Sequence, residues 1–322
     1  MRAIRFHEYG PAEVLRLEEV PDPVAGPGEV LVRVEGAGIS HVETQIRAGL
    51  MPGIALPLPF TPGFEVVGTV VATGPDTDPA WTGRRVLALT PGGGGYAELA
   101  AIPAGSLHPL PDGLDPHAGL ALLSSGVAAV GAFAAGEVRP GETVLVEAAA
   151  GVAGGLLTQL AKHAGARVIA AARGSRKLAA AEDNGADAAV DYGLPGWGDA
   201  VREAAGGDVQ VVFETVGGEI ARTAFGLLAT GTGRMVLYGT AGGTPPAFDV
   251  ADVLQRGLTV RGFASVLLPP EEVAGLVGQV FEHAAAGRLR PVIGAVYPLA
   301  EAAAAHRAHD ERTTIGKTVL TP

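Results

Sequence analysis

The chain has 322 residues, 48% of them hydrophobic and 18% charged, which is enough for two domains with cores and excludes a disordered tail protein. With 23 Lys+Arg against 34 Asp+Glu the formal net charge is −11 and no long basic run occurs, so a nucleic-acid partner is not expected and any anionic ligand must be held locally. Cysteine is absent, which excludes disulfides, thiolate zinc sites and cysteine nucleophiles.

The opening "MRAIRFHEYG" carries no apolar h-region, so a cytoplasmic enzyme is the expectation. From there to about Pro116 short β-like runs are broken by Pro and Gly: "EVLRLEEV", "EVLVRVEGAGIS", "EVVGTVVATG", "RRVLALT" and "GYAELAAIP". This spacing predicts an irregular antiparallel barrel or sandwich. "SHVETQIRAGL" is the exception and predicts a short helix capped by Ser40. "AGLALLSSGVAAVGAFAAG", Ala118 to Gly136, is uncharged over about the length of a bilayer span, but its serines, glycines and polar flanks predict a buried helix and no membrane.

After about Leu120 strands and helices alternate strictly. Strands are expected at "TVLVEA", "RVIAAA", "ADAAVDY", "VQVVFET", "GRMVLYG" and "LTVRGFA", with helices over 152–163, 175–184, 197–205, 219–229 and 250–256. That alternation means an α/β domain with a doubly wound parallel sheet, a dinucleotide-binding architecture by pattern alone. A helix "PPEEVAGLVGQVFEHAAAG", a β-like "VIGAVYPL", an Ala-rich helix through His309 and a closing "KTVLTP" follow a sheet that is already complete, so they are expected to return to the first domain. The resulting division is 1–120, 121–262 and 263–322.

Between the first strand and first helix of the alternating run lies "EAAAGVAGG". The dinucleotide fingerprint wants glycine for the tight turn, for backbone approach to pyrophosphate and for helix against strand. Here those slots hold Ala149, Gly151 and Gly154. Glycine supplies 48 of the 322 residues, so the motif alone decides nothing; its position at a strand-to-helix turn makes it a phosphate cradle rather than a packing turn. About twenty residues on, where an enzyme for the unphosphorylated cofactor places Asp or Glu against the ribose, the chain reads "AAARGSRK". Arg173, Ser175 and Lys177 favour a 2′-phosphate, with a solvated first turn as the plain alternative, and Tyr192 can add a hydroxyl.

The stretches "GAGISHVETQIRAGL", "LPFTPGFEVVGTVVATG", "GGYAELAAIP", "AAAGVAGGLLTQLAKHAGARVIAAA", "VFETVGG", "LYGTAGG" and "IGKTVLTP" together resemble the zinc-independent quinone oxidoreductases of the medium-chain dehydrogenase/reductase superfamily, over essentially the whole chain. The resemblance implies a GroES-like β-barrel catalytic domain plus a Rossmann domain, NADPH in the cleft and a homodimer. It implies Gly151, Val152, Ala153 and Gly154 at the pyrophosphate, and Gly174, Lys177, Tyr192 and Lys317 around the 2′-phosphate; Ala150 in the turn and Arg173 after the second strand complete the expected cofactor-binding set. Gly239 and Phe263 would lie toward the nicotinamide. Lys317 is otherwise a charge opening an edge strand.

Zinc relatives place Cys and His where this chain has Ser40 and Phe64, and His41 with Glu65 is no closed ligand set, so no metal is expected. The quinone-reductase pattern itself typically has Asn at Ser40, Asp at Glu43 and, in some members, tyrosines at Gln45 and Met51; Ala128 and Val130 replace its common Thr and Tyr. These departures touch substrate identity more than fold. The expected chemistry is hydride transfer to a quinone or similar conjugated carbonyl, with Ser40, His41, Gln45 and Arg47 as the polar groups able to steady the developing oxyanion. Their plain alternatives are helix cap, first-turn surface residue, solvent-facing amide and packing ion pair. Tyr96 and Tyr238 are expected to pack, and Glu214 to anchor the floor beneath the cofactor. Two other functions stay open: reduction of an activated carbon–carbon double bond, as with an enone, and an NADPH-binding redox sensor with little turnover.

Overall fold

A computed structural model describes residues 1–51, 53 and 56–322. The chain divides into two compact units, Met1–Ser124 with Val292–Pro322, and Ser125–Pro291.

The first unit begins with an antiparallel pair, β1 (Arg2–Arg5) and β2 (Arg16–Glu19), and continues through β3 (Glu29–Ile39), α1 (His41–Arg47), β4 (Glu65–Thr73), β5 (Arg85–Leu89), β6 (Leu99–Pro103) and β7 (Leu107–Pro109). In α1 the Glu43 carboxylate accepts the Ser40 amide at 2.6 Å, closing a capping box at the expected helix start. The long β3 alternates inward apolar residues, and Val30, Val32, Ile39, Val66, Val86, Tyr96 and Ile102 fill one core, as a half-wrapped antiparallel sheet requires. At Leu107–Pro109 a three-residue strand appears where the sequence carries no periodic signal.

Helix α2 (Pro116–Gly136) follows, and the division between the units falls within it. It is long and apolar enough to cross a membrane by length and composition, yet 61% of its apolar window is buried, with Leu120, Leu122 and Leu123 inside.

The second unit strings β8 (Thr143–Glu147), α3 (Val152–His163), β9 (Arg167–Ala172), α4 (Ser175–Asp183), β10 (Ala188–Asp191), α5 (Trp197–Ala205), β11 (Val211–Glu214), α6 (Gly218–Gly226), β12 (Arg234–Leu237), α7 (Val250–Gln255), β13 (Thr259–Gly262) and α8 (Pro270–Ala285). Its six strands are all parallel in the order β10-β9-β8-β11-β12-β13, the doubly wound order in which the winding reverses between β8 and β11. Strands buried on both faces read as continuous Val, Ile and Ala, as "RVIAAA" does.

The chain re-enters the first unit with β14 (Ile293–Pro298), α9 (Ala302–Asp310) and β15 (Lys317–Thr321). The return comes at Val292 rather than at Phe263, because α8 stays with the parallel-sheet unit, where Val280 packs on Gly126. Strand β15 is no edge: it lies between β14 and β3 in the seven-stranded sheet.

Candidate functional site

In the parallel-sheet unit the cradle forms at the strand-to-helix turn after β8. Ala148 takes a positive φ of 49°, and its carbonyl accepts the Gly151 amide at 2.8 Å. A Cβ on Gly154 would stand 2.5 Å from that same carbonyl oxygen, so the third fingerprint position admits only glycine. Ala149 and Ala150 are buried, leaving backbone rather than side chain at the turn, while Gly151 is exposed and Val152 and Ala153 are half-buried. The first-turn amides of the twelve-residue α3, which no helical carbonyl can reach, face the end where an anion is stabilised.

At the end of β9 the exposed Arg173 precedes Gly174, whose φ of 84° and ψ of 149° only glycine adopts readily. The Asp191 carboxylate accepts the Gly174 amide at 2.9 Å and the Gly193 amide at 2.8 Å, joining the loops after β9 and β10. Arg173 lies over Gly193, Lys177 stands in the first turn of α4, and Tyr192, edge-on to Trp197 at 6.3 Å, follows Asp191. Arg173, Gly174, Lys177 and Tyr192 thus stand on the neighbouring segments that follow the paired strands β9 and β10. Asp191 was missed in the sequence because an acidic residue at a strand end reads as a solvated cap.

Gly239 has no room for a side chain beside the Thr215 hydroxyl, and the loop after β12 is pinned by Ala241 donating to the Thr215 carbonyl at 2.6 Å. The Phe263 ring is half-buried and lies against Gly131 of α2 on one side. Beneath these loops Glu147 and Glu214 are fully buried, and the Gly217 amide donates to Glu214 at 2.5 Å. Glu214 is thus an anchor as expected; Glu147 was not singled out. Together the glycine-restricted cradle, the helix N-terminus and the cations after β9 fit a phosphorylated dinucleotide.

In the barrel unit Ser40, His41 and Gln45 share the start of α1. The Gln45 amide nitrogen lies 3.0 Å from His41 Nε2, so the two side chains are bonded across one turn of the helix. Arg47 does not join them: it is 2% exposed and bonds Asp310 at 2.8 Å, so it is the packing ion pair. Lys317 departs further from expectation. It is 2% exposed on β15, with its ammonium bonded to Glu65, whose other oxygen accepts the Ser124 amide at 3.2 Å. A cation committed to a buried carboxylate is withdrawn from a solvent-facing phosphate.

The surroundings of α1 are unusually polar for a core. Burial pushes the Glu43 carboxyl up to about 7, against the opposing Ser40 amide and Lys317. Tyr96 is fully buried, with its hydroxyl 3.1 Å from His306 Nε2; burial and Arg47 lower His306 to about 3, and burial and Lys317 lower His309 to about 4.

Residues 26–112 match the family model described as an alcohol dehydrogenase GroES-like domain, and residues 153–282 match that described as a zinc-binding dehydrogenase. The chain is 31% identical to a quinone oxidoreductase of Sus scrofa, over 99% of this chain and 97% of that protein. It is 30% identical to a 2-haloacrylate reductase of Burkholderia sp, over 98% of each. Among solved structures, the Escherichia coli quinone oxidoreductase complexed with NADPH aligns with a TM-score of 0.91 at 27% identity, over 100% of both chains.

Proposed function

The chain belongs to the quinone oxidoreductase family of the medium-chain dehydrogenase/reductase superfamily, and from that premise we propose that it uses NADPH to reduce a quinone or a similar conjugated carbonyl, without zinc. The observation that carries this reading is the pair of loops after β9 and β10, tied by Asp191 to Gly174 and Gly193 with Arg173 alongside, in the same sheet as a turn that only glycine can complete. Bound there, the cofactor supplies the hydride, and the protein supplies position and charge stabilisation.

Backbone amides at the start of α3 hold the pyrophosphate. Lys177 and Arg173 neutralise the 2′-phosphate, whose charge would otherwise go unmatched in a chain of net charge −11. Asp191 fixes the two loops that present them. In the barrel unit the Ser40 hydroxyl and the His41 ring are the polar groups that would steady a developing oxyanion, and Gln45 bonds the His41 ring. A quinone oxygen can take its proton from water, so no buried acid is required. Zinc has no role in this reading because Glu65 is already neutralised by Lys317.

The similarity to a 2-haloacrylate reductase supports a second reading, reduction of an activated carbon–carbon double bond. We also propose a homodimer. The edge strand β13 leaves main-chain groups unpaired, and Val250, Leu254, Val266 and Leu267 are 75%, 85%, 90% and 81% exposed in the same unit.

The test is titration of the purified protein with NADPH and NADH, then NADPH oxidation with ortho-quinones, para-quinones and an enone in parallel. Quinone turnover supports the first reading, enone turnover alone the second. Binding without turnover favours a sensor, and no nucleotide binding overturns all three. Lys177→Ala should weaken NADPH by about tenfold or more while leaving NADH nearly unchanged; equal losses would show that Lys177 does not read the 2′-phosphate.

A further inference from the structure

We propose that Glu147 and Glu214 hold one proton between them and, as a carboxylic acid–carboxylate pair, act as positioning residues for the loops that form the floor of the dinucleotide cradle; the proposal rests on the dinucleotide reading above.

The register makes the two side chains neighbours. Strands β8 and β11 run parallel with Val144 opposite Val211, Leu145 opposite Val212 and Val146 opposite Phe213, so the next rung sets Glu147 beside Glu214 on one face. Parallel strands lie about 4.8 Å apart, within reach for two glutamates to touch. The rung is at the carboxyl ends of the strands between which the winding reverses, where open α/β sheets take their ligands.

Both residues are 0% exposed, and neither carboxylate is in an ion pair among the described residues. Glu214 Oε1 has the Gly217 amide, but Glu214 Oε2 and both Glu147 oxygens have no hydrogen-bond partner there. Two adjacent buried charges with no counterion among the described residues are prohibitive in a medium of low dielectric. One proton resolves this, because it turns an oxygen of one carboxyl into a donor and gives the neighbouring oxygen its missing bond. The facing groups add no positive charge: they are Glu214 on β11, and Tyr238 after β12, which itself stands near Tyr192. The Tyr238 hydroxyl is also buried without a partner, and burial and the two glutamates hold its acidity well below normal. Burial and Glu214 raise the Glu147 carboxyl well above the usual carboxylate range; the nearby Thr215 and Val216 amides oppose this without reaching hydrogen-bond geometry.

The pair sits at the root of three loops. Glu147 immediately precedes Ala148, whose carbonyl organises Gly151 and restricts Gly154. Glu214 holds Gly217, and Thr215 and Val216 accept the amides of Ala241 and Gly242 at 2.6 and 2.9 Å. A bonded pair keeps the ends of β8 and β11 together; a pair with no shared proton forces them apart.

The experiment combines infrared spectroscopy of the full-length protein with nucleotide binding by two variants. The wild type should show the carbonyl stretch of a protonated carboxylic acid above the ordinary carboxylate range of pH. Part of this band should vanish in E147Q, and it should be resolved from the Glu43 contribution by comparison with E43Q. E147Q retains an amide donor toward Glu214 and should bind NADPH within about threefold of wild type. E147L leaves Glu214 charged with an orphaned oxygen and should weaken NADPH and NADH equally, by about tenfold, because the loops hold the part the two cofactors share. A wild type whose acid band is unchanged in E147Q, or an E147L that binds both cofactors normally, overturns the proposal. If E147L fails to fold, the infrared comparison of wild type, E147Q and E43Q decides it. A protein that binds neither cofactor while showing the Glu147 band refutes the dinucleotide reading and leaves the shared proton standing.

Discussion

In the barrel unit the buried Glu65 faces Lys317 and the buried Arg47 faces Asp310, whereas in the parallel-sheet unit Glu147 and Glu214 face each other and, among the described residues, neither is paired with a cation. Both units remove charge from water, but they compensate it in different currencies. A carboxylate buried beside a cation is compensated by a full opposite charge within bonding distance. A pair of carboxylates is compensated only while it holds a proton, so it ties its unit to pH. The difference teaches that the same burial can be inert in one place and responsive in another, according to whether the partner is a fixed charge or a shared hydrogen.

The largest effect should come from breaking the fixed pair. Lys317→Met leaves Glu65 buried and unpaired and should cost about 3–5 kcal/mol, read as a fall in Tm or in the urea midpoint. E65Q combined with K317M should recover most of that loss, since neither charge then remains. A small loss in K317M alone would mean that Glu65 finds another donor and that the contrast between the units is weaker than drawn.

Smaller, and of opposite origin, is the dependence on pH. A carboxyl raised in the folded state contributes stability that is fully present below its unfolded value of 4.5 and is lost as pH rises. For Glu43 the loss should be complete by about 7; for the Glu147–Glu214 pair, raised by burial and by their closeness, it runs in the same direction. The slope is at most about 1.4 kcal/mol per pH unit for each proton. E43Q and E147Q should each flatten part of this decline. His306 and His309 act on the acid side: lowered to about 3 and about 4 from 6.5, they contribute stability present above 6.5 and lost as pH falls through those values. Urea midpoints measured from pH 4 to 9 on wild type and both glutamine variants check all of this, and an E147Q curve identical to wild type would remove the distinction between the glutamate pair and the ion pairs.

The smallest effect should be at Asp310. Its side chain is 37% exposed, so water can take over part of its role toward Arg47, and Asp310→Asn should cost about 1 kcal/mol in the same measurement. A loss as large as that of Lys317→Met would show Arg47 to be as isolated as Glu65.

Most of the fold was legible because burial on both faces gives unbroken Val, Ile and Ala runs, and strict alternation with helices admits one sheet order. The cradle was legible for the same reason, as a turn at a defined place rather than as a glycine count. The barrel site was less so. Spacing does not say which strands β15 joins, so Lys317 read as an edge charge or a phosphate ligand instead of the buried partner of Glu65. Arg47 lies 263 residues from Asp310, and no local pattern connects them. The glutamate pair did leave a signal: "VLVEA" and "VVFET" end the first and fourth strands of the alternating run with Glu at the same point, and the doubly wound order puts those strands side by side. Reading strand ends across the sheet, rather than along the chain, would have found it.

The place of β15 between β14 and β3 also sets an order of events during synthesis. Lys317 leaves the ribosome 252 residues after Glu65, on the order of 10–50 s later at cellular elongation rates. Until then the barrel lacks an inner strand and Glu65 must stay in water, while residues 125–291 form a contiguous stretch that contains its whole sheet. The nascent chain is therefore built so that its second unit can finish folding before its first, and chaperone or aggregation contacts made in that interval should fall on the open barrel.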